Sequence, residues 1–303
     1  MTTVSLQEKP GIKRRSTGDL KLAVVMIAPA LIGFLLFMLW PTLHGIWLSF
    51  TDFNLLTPAK FVGLANYARM FADPVFWNAA AVTLEYVVIN IGVQTILALL
   101  IAVLMHRLTK STFVRSVVLA PYLVSNVVAA LLFMWILDTQ LGIANQMIAA
   151  IGLDRIPFLA QESTVIPTIA LINVWRHMGY TALLIFAGLQ TIPDSVYEAA
   201  RVDGANEWQM FWRITIPLLR PILALVLIMT IIGSFQVFDT VAITTNGGPV
   251  NSSRVPQLYI YDMAFGRFQF GYASALSVAL LVILLIVTFL QYRLSRAGET
   301  DLN

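Results

Sequence analysis

Long runs without a charged side chain recur along the chain, and their length fits a bilayer. Residues 22–51 carry no Asp, Glu, Lys or Arg, and apolar stretches follow at 82–105, 116–137, 164–189, 222–243 and 271–292. A hydrocarbon core of about 30 Å needs about 20 apolar residues at about 1.5 Å each, so each stretch predicts a membrane-spanning helix. Pro29 and Pro41 lie inside the first, where neighbouring helices or water can satisfy the freed carbonyls. A cleaved signal peptide would end near Ala28-Pro29-Ala30, but the apolar run continues well beyond that point, so the segment reads as a span. The pattern predicts an all-α polytopic membrane protein with six transmembrane helices.

Composition and charge sharpen this picture. Of 303 residues 58% are hydrophobic and only 12% charged, about half the charged fraction of a soluble domain. The absence of cysteine excludes a disulfide scaffold, a thiolate metal site and a cysteine nucleophile. A net charge of +3 is too small to suggest nucleic acid as a partner. The placement of the cations is more informative than their sum. Lys9, Lys13, Arg14, Arg15, Lys21, Arg107, Lys110, Arg115, Arg201, Arg213, Arg220, Arg293 and Arg296 fall on one side of the six spans. Lys60, Arg69, Arg155, Arg254 and Arg267 fall on the other. Lys and Arg accumulate in cytoplasmic loops, so the richer side is inside, both termini are cytoplasmic, and the outer loops lie near 51–81, 138–163 and 244–270. The expected organisation is an N-terminal segment 1–21, a six-helix domain 22–292 and a tail 293–303.

Polar residues inside the spans form stripes. Asn173, Arg176, His177 and Tyr180 stand at i, i+3, i+4 and i+7 on the fourth helix. The second helix carries Thr83, Tyr86, Asn90 and Gln94, the third Tyr122, Ser125 and Asn126, and the fifth Gln236, Asp239 and Thr240. An arginine at the bilayer centre costs about 2.5–3.5 kcal/mol on insertion scales, so Arg176 is expected to face protein or water. Single polar residues often serve only as interhelical hydrogen bonds. Four polar faces together predict a hydrophilic path. Trp135, Trp175, Phe235 and Phe238 lie beside the stripes, and flat apolar faces next to hydrogen-bonding groups suit a sugar ring, although aromatics there also serve packing and interface anchoring.

Residues 191–221 form a cytoplasmic loop with two expected short helices. Ser195 with Glu198 reads as a capping box after Pro193, and Gly204 as a helix stop. Asn206 with Gln209 opens the second helix, and Pro217 is expected to end it. Trp208, Phe211 and Trp212 make an apolar patch at i, i+3 and i+4, which would cover either a partner or the ends of the bundle itself.

Glu198-Ala199-Ala200, Asp203-Gly204-Ala205, Phe211, Ile214, Pro217 and Pro221 resemble the EAA signature of bacterial ABC importer permeases, at the spacing and place that family has it. Phe61-Val62-Gly63-Leu64-Ala65-Asn66-Tyr67 and Thr245-Asn246-Gly247-Gly248-Pro249 look like its carbohydrate-uptake branch, similar to the first membrane subunit of maltose and glycerol-3-phosphate systems. Asn246 departs from the small residue common at that place. The resemblance, over about residues 20–295, implies a type I ABC importer permease fold in a bacterial inner membrane. It implies a second permease subunit, two copies of an ATPase subunit and an extracytoplasmic solute-binding protein as partners. ATP and Mg would be held by the ATPases and no cofactor by this chain. Glu198 would pair with a basic group of the ATPase, Ala199 and Ala200 would allow close approach, Gly204 would let the chain turn, and Trp208 with Phe211 would fill an apolar cleft. Tyr67, Phe71, Phe76 and Trp77 would be candidates for touching the binding protein.

Rival functions lack their motifs. No His-Glu-x-x-His occurs around His44, His106 or His177, and there is neither a Gly-x-Ser-x-Gly nor a P-loop, so neither an intramembrane hydrolase nor an ATPase is expected. A secondary transporter would suit polar intramembrane stripes, but Glu85, Arg176 and Asp239 are too few to form a proton relay. The expected solute is a neutral sugar or oligosaccharide, with glycerol-3-phosphate or a glycerophosphodiester as the alternative.

Overall fold

The computed structural model describes residues 17–109 and 111–296. Lys9, Lys13, Arg14, Arg15, Lys110 and most of the expected N-terminal segment and tail lie outside the described residues. Helices α1 (Thr17–Phe34) and α2 (Trp40–Leu48) form the first span, and α3 (Ala65–Ala72) leads to the long α4 (Pro74–Leu108). Next come α5 (Thr112–Leu123), α6 (Asn126–Ile136), α7 (Ile143–Ala150) and α8 (Glu162–Leu189). The second half holds α9 (Asp194–Val202), α10 (Glu207–Met210), α11 (Ile216–Phe235), α12 (Asp239–Thr244), α13 (Pro256–Tyr261) and α14 (Phe270–Arg296). No strand occurs among the described residues. Among the described residues five helical stretches are long and apolar enough to cross a bilayer, and the pair α5–α6, bent by 89°, brings the number to six when it is counted as one span.

The expected boundaries shift for identifiable reasons. The second span begins outside residue 82 because Asp73 caps α4, its carboxylate accepting from the Val75 N–H at 2.9 Å, and Pro74 supplies the φ of a first helical residue. The third span, expected as one helix over 116–137, is broken at Val124 and Ser125. Pro121 weakens the last turn of α5, Val124 turns extended, and the Ser125 side chain caps α6. The fifth span does not begin at Pro221, and Pro217 does not end the helix before it. A π turn over Phe211–Thr215 joins α10 to α11, the Ile216 N–H reaching back to the Phe211 carbonyl. The same device, a π turn over Leu35–Leu39, precedes Pro41 in the first span. Proline cannot donate to the carbonyl four residues back and its ring crowds it, so the preceding turn widens and the helix continues. After Phe235 the fifth span breaks at residues 236–238 and resumes as α12.

Helix α4 packs along α8 over most of its length, with α11 against both and α14 against α11. Val82, Tyr86, Ile166, Ile169 and Val241 form one apolar cluster at the end of the bundle near α12 and α13, and Ala98, Ala102, Ile185, Leu189 and Leu219 another at the end near the loop 191–221. Gly179 lets α5 cross α8 closely, since a Cβ there would lie 1.9 Å from the Val118 carbonyl oxygen. Between the two clusters the packing gives way to polar side chains.

Candidate translocation cavity and coupling loop

A cavity of about 190 Å3 lies between the two apolar clusters, walled by α4, α8, α11, α12 and the bend of the third span. Of the stripe residues, Tyr86, Asn90, Gln94, Tyr122, Asn126, Asn173, His177, Tyr180, Gln236, Asp239 and Thr240 line it. Their hydrogen bonds join the helices around it. Asn90 donates to Ser234 Oγ at 2.9 Å, Gln94 to Thr181 Oγ1 at 2.8 Å and Asn126 to Asp239 Oδ2 at 2.9 Å. Tyr122 and Tyr180 stack with ring centroids 4.5 Å apart. The Oδ1 atoms of Asn90 and Asn126 are buried and have no hydrogen-bond partner among the described residues.

Three stripe residues stand elsewhere. Ser125 caps α6 and is absent from the lining. Arg176 turns away from the cavity toward the broken span. Its Nε donates to the Val124 carbonyl at 2.7 Å and its Nη2 to the Tyr122 carbonyl at 3.4 Å. These are carbonyls that the end of α5 leaves without helical partners. Nη1 meets His177 Nε2 at 2.9 Å, while His177 Nδ1 donates to the Asn173 carbonyl at 2.9 Å, which fixes the imidazole tautomer. Arg176 therefore positions the bend. Thr83 faces a separate apolar cavity. Of the neighbouring aromatics, Phe238 lines the central cavity, Trp175 packs on Phe133 at 5.1 Å, Phe235 joins the apolar cluster near α12 and α13 and Trp135 is exposed.

Sequence reasoning missed Thr181, Thr230 and Ser234, which also line the cavity. Thr230 and Ser234 stand at i, i+4 on α11, a stripe hidden by the expectation that the polar face lay near the far end of that span.

In the loop 191–221, α9 starts at Asp194 with Pro193 before it and no side-chain cap, so the expected Ser195–Glu198 capping box does not form. The stop at Gly204 does. Gly204 has φ +79°, its N–H bonds the Arg201 carbonyl at 3.0 Å, and the Ala205 N–H bonds the Ala200 carbonyl at 2.9 Å. This is the paired closure that a left-handed glycine allows. The capping box of Asn206 and Gln209 is present in both directions at 2.9 Å. Ala200 is buried and Phe211 half-buried, whereas Glu198, Ala199, Asp203, Gly204 and Trp208 are exposed. Val202 at 89% and Trp208 at 70% exposure leave apolar surface that this chain does not cover. Arg107 at the end of α4 pairs with Glu207 at 2.7 Å and so ties the loop to the second span. Pro217, half-buried, sits in the first turn of α11.

At the start of α4, the Asp73 carboxylate accepts from the hydroxyls of Tyr259 and Tyr272. Burial pushes the Asp73 carboxyl up, but these hydroxyls and the N–H groups of Val75 and Phe76 outweigh it and hold the group below its usual value. Burial, with the hydrogen bond to Asp73, raises Tyr259 to about 12. Tyr67 bonds Ser49 at 2.7 Å and Phe76 is buried, while Phe71 and Trp77 are exposed.

Residues 94–297 match the model of the binding-protein-dependent transport system inner membrane component family. The chain belongs to this family. The probable ABC transporter permease protein YurN of Bacillus subtilis is 37% identical over 91% of this chain and 97% of its own length. The trehalose/maltose transport system permease protein MalF of Thermococcus litoralis is 30% identical over 92% and 95%. A bacterial ABC transporter involved in the import of the acidic polysaccharide alginate has a chain that superposes with a TM-score of 0.81 at 26% identity, covering 92% of this chain and 96% of that one. This permease thus has the ABC importer permease fold, is a multi-pass membrane protein, and stands in a transport family rather than an enzyme family.

Proposed function

We propose that this permease conducts a neutral sugar or oligosaccharide across a bacterial inner membrane, as one of two permease subunits driven by two cytoplasmic ATPase subunits. The observation that carries the solute class is the charge of the cavity wall. Its lining includes Asp239 as the one carboxylate and no Lys or Arg, since Arg176 is engaged by the Val124 and Tyr122 carbonyls. The Asp239 carboxylate accepts from hydroxyls and repels phosphate, which favours a neutral polyol over a glycerophosphodiester. The trehalose/maltose permease among its relatives supports the same class. In this reading the six-helix domain 22–292 forms the path, and the loop 191–221 couples it to ATP, with Glu198, Ala199, Ala200, Asp203, Gly204, Ala205, Trp208, Phe211 and Pro217 as its working residues. Exposed Trp208 and Val202 would meet the ATPase. An extracytoplasmic binding protein delivers the solute, both termini lie in the cytoplasm, and ATP with Mg is held by the ATPases.

ATP-driven closure of the ATPases then rocks the paired permeases between inward- and outward-facing states. Reconstituting the full complex in vesicles with its binding protein tests this against a panel of neutral oligosaccharides and glycerol phosphates. ATP-dependent uptake confined to neutral sugars is expected. Uptake of the phosphates alone, or uphill uptake by this chain without ATPases, overturns the proposal.

A further inference from the structure

A row of aromatic rings leaves the central cavity at Phe238 and continues to the outer end of the last span. Phe238, in the cavity wall, stands 5.5 Å from Tyr261, Tyr261 5.1 Å from Phe265, Phe265 5.7 Å from Phe270, and Phe270 6.1 Å from Phe53. These residues come from four separated stretches: the break after α11, the end of α13 with its following turn, the start of α14, and the first outer loop. Tyr261 and Phe265 are 49% and 59% exposed, so their faces are open rather than used up in the core. Asp262 follows Tyr261 directly and is paired with Arg254, while Arg254 and Arg267 line a separate cavity with Tyr259 and Met263.

We infer that Phe238, Tyr261 and Phe265, continued by Phe270 and Phe53, form a track along which pyranose rings of the transported saccharide pass between the outer surface and the central cavity. A pyranose has flat C–H faces and stacks on an exposed aromatic face. Neighbouring rings are tilted by 41° to 58°, and Phe265 meets Phe270 edge-on at 83°, so the exposed sides of Tyr261 and Phe265 are the faces a flat ligand can reach. The occupant is set by continuity, because the inner end of the row is itself part of the cavity wall. The inference rests on the sugar reading above.

The test uses the intact complex in vesicles with an oligosaccharide that the parental complex imports. Failure to find any such oligosaccharide counts against the sugar reading and not against the track. Phe265→Ala and Tyr261→Ala are expected to lower the uptake rate roughly fivefold each, the scale of one lost aromatic contact. ATP hydrolysis stimulated by the binding protein should persist. Phe265→Tyr keeps a ring and restores uptake, whereas Phe265→Leu keeps only apolar bulk and does not. Parental uptake by Phe265→Leu would reduce the row to an interfacial belt and overturn the inference. Loss of complex assembly in the leucine variant, with normal uptake by whatever assembles, would assign the row to packing against the second permease and overturn it equally.

Discussion

Replacing Arg176 with methionine removes the group that holds the third span bent. In the parental chain Nε bonds the Val124 carbonyl at 2.7 Å and Nη2 the Tyr122 carbonyl at 3.4 Å, with the guanidinium carbon 5.5 Å above the Tyr122 ring. A hydrogen bond from a charged donor contributes about 1.5–3 kcal/mol net, and the long second bond adds little. Methionine conserves apolar bulk but offers no donor, so the Val124 carbonyl is orphaned. The sum is a loss of about 2–3 kcal/mol, which for a chain of this size lowers the thermal midpoint by about 5 °C. Thermal unfolding of the purified complex, followed by tryptophan fluorescence, reads the shift. Arg176→Lys should recover about half of it, since an ammonium can bond one carbonyl but not both. An unshifted midpoint combined with altered solute selectivity would refute the positioning role and return Arg176 to the cavity wall.

Further outcomes are expected elsewhere. Gly204→Asp forces a side chain into φ +79°, where nothing lies within 4 Å to clash, so the cost is about 1–2 kcal/mol of local strain; uptake and ATPase binding should fall while membrane insertion is unchanged. Gly179→Ala drives a Cβ to 1.9 Å from the Val118 carbonyl oxygen and should lower the thermal midpoint, whereas Gly33→Ala, with nothing within 4 Å, should not. Asp73 has a folded-state value below the unfolded carboxylate value of about 4, so its contribution is present above that pH and is lost as pH falls through the folded value. Stability measured from pH 6 downward should therefore decline in the parental protein and decline less steeply in Asp73→Asn. Trp208→Ser should weaken ATPase binding in a pull-down while leaving the midpoint of this chain in place, because its ring is largely exposed.

Spans and the cytoplasmic loop were legible because both rest on local signals: runs of apolar residues, a glycine with φ +79° and an Asn–Gln cap. The breaks were not. A proline can end a helix or widen it into a π turn, and Pro217 and Pro121 differ in outcome because α11 is carried on by packing against α4 and α8, while Arg176 donates to the carbonyls left free at the end of α5. That partner lies 52 residues from Val124, beyond any sequence window. For the same reason the stripes located most of the cavity wall but placed Arg176 and Ser125 in it. Helical spacing gives the face of a residue, while the direction of a long side chain depends on which neighbouring carbonyls need a donor.

The π turn at Phe211–Thr215 keeps the helix continuous from Glu207 to Phe235, so one helical arm joins the loop 191–221 to the cavity wall. At about 1.5 Å a residue this arm is roughly 43 Å long. A tilt of about 10° at its inner end would sweep its outer tip by about 7 Å, a stroke delivered to Ser234 without loss in a joint. The helix breaks just after that tip, over residues 236–238, beside Asp239 and Thr240 in the cavity wall.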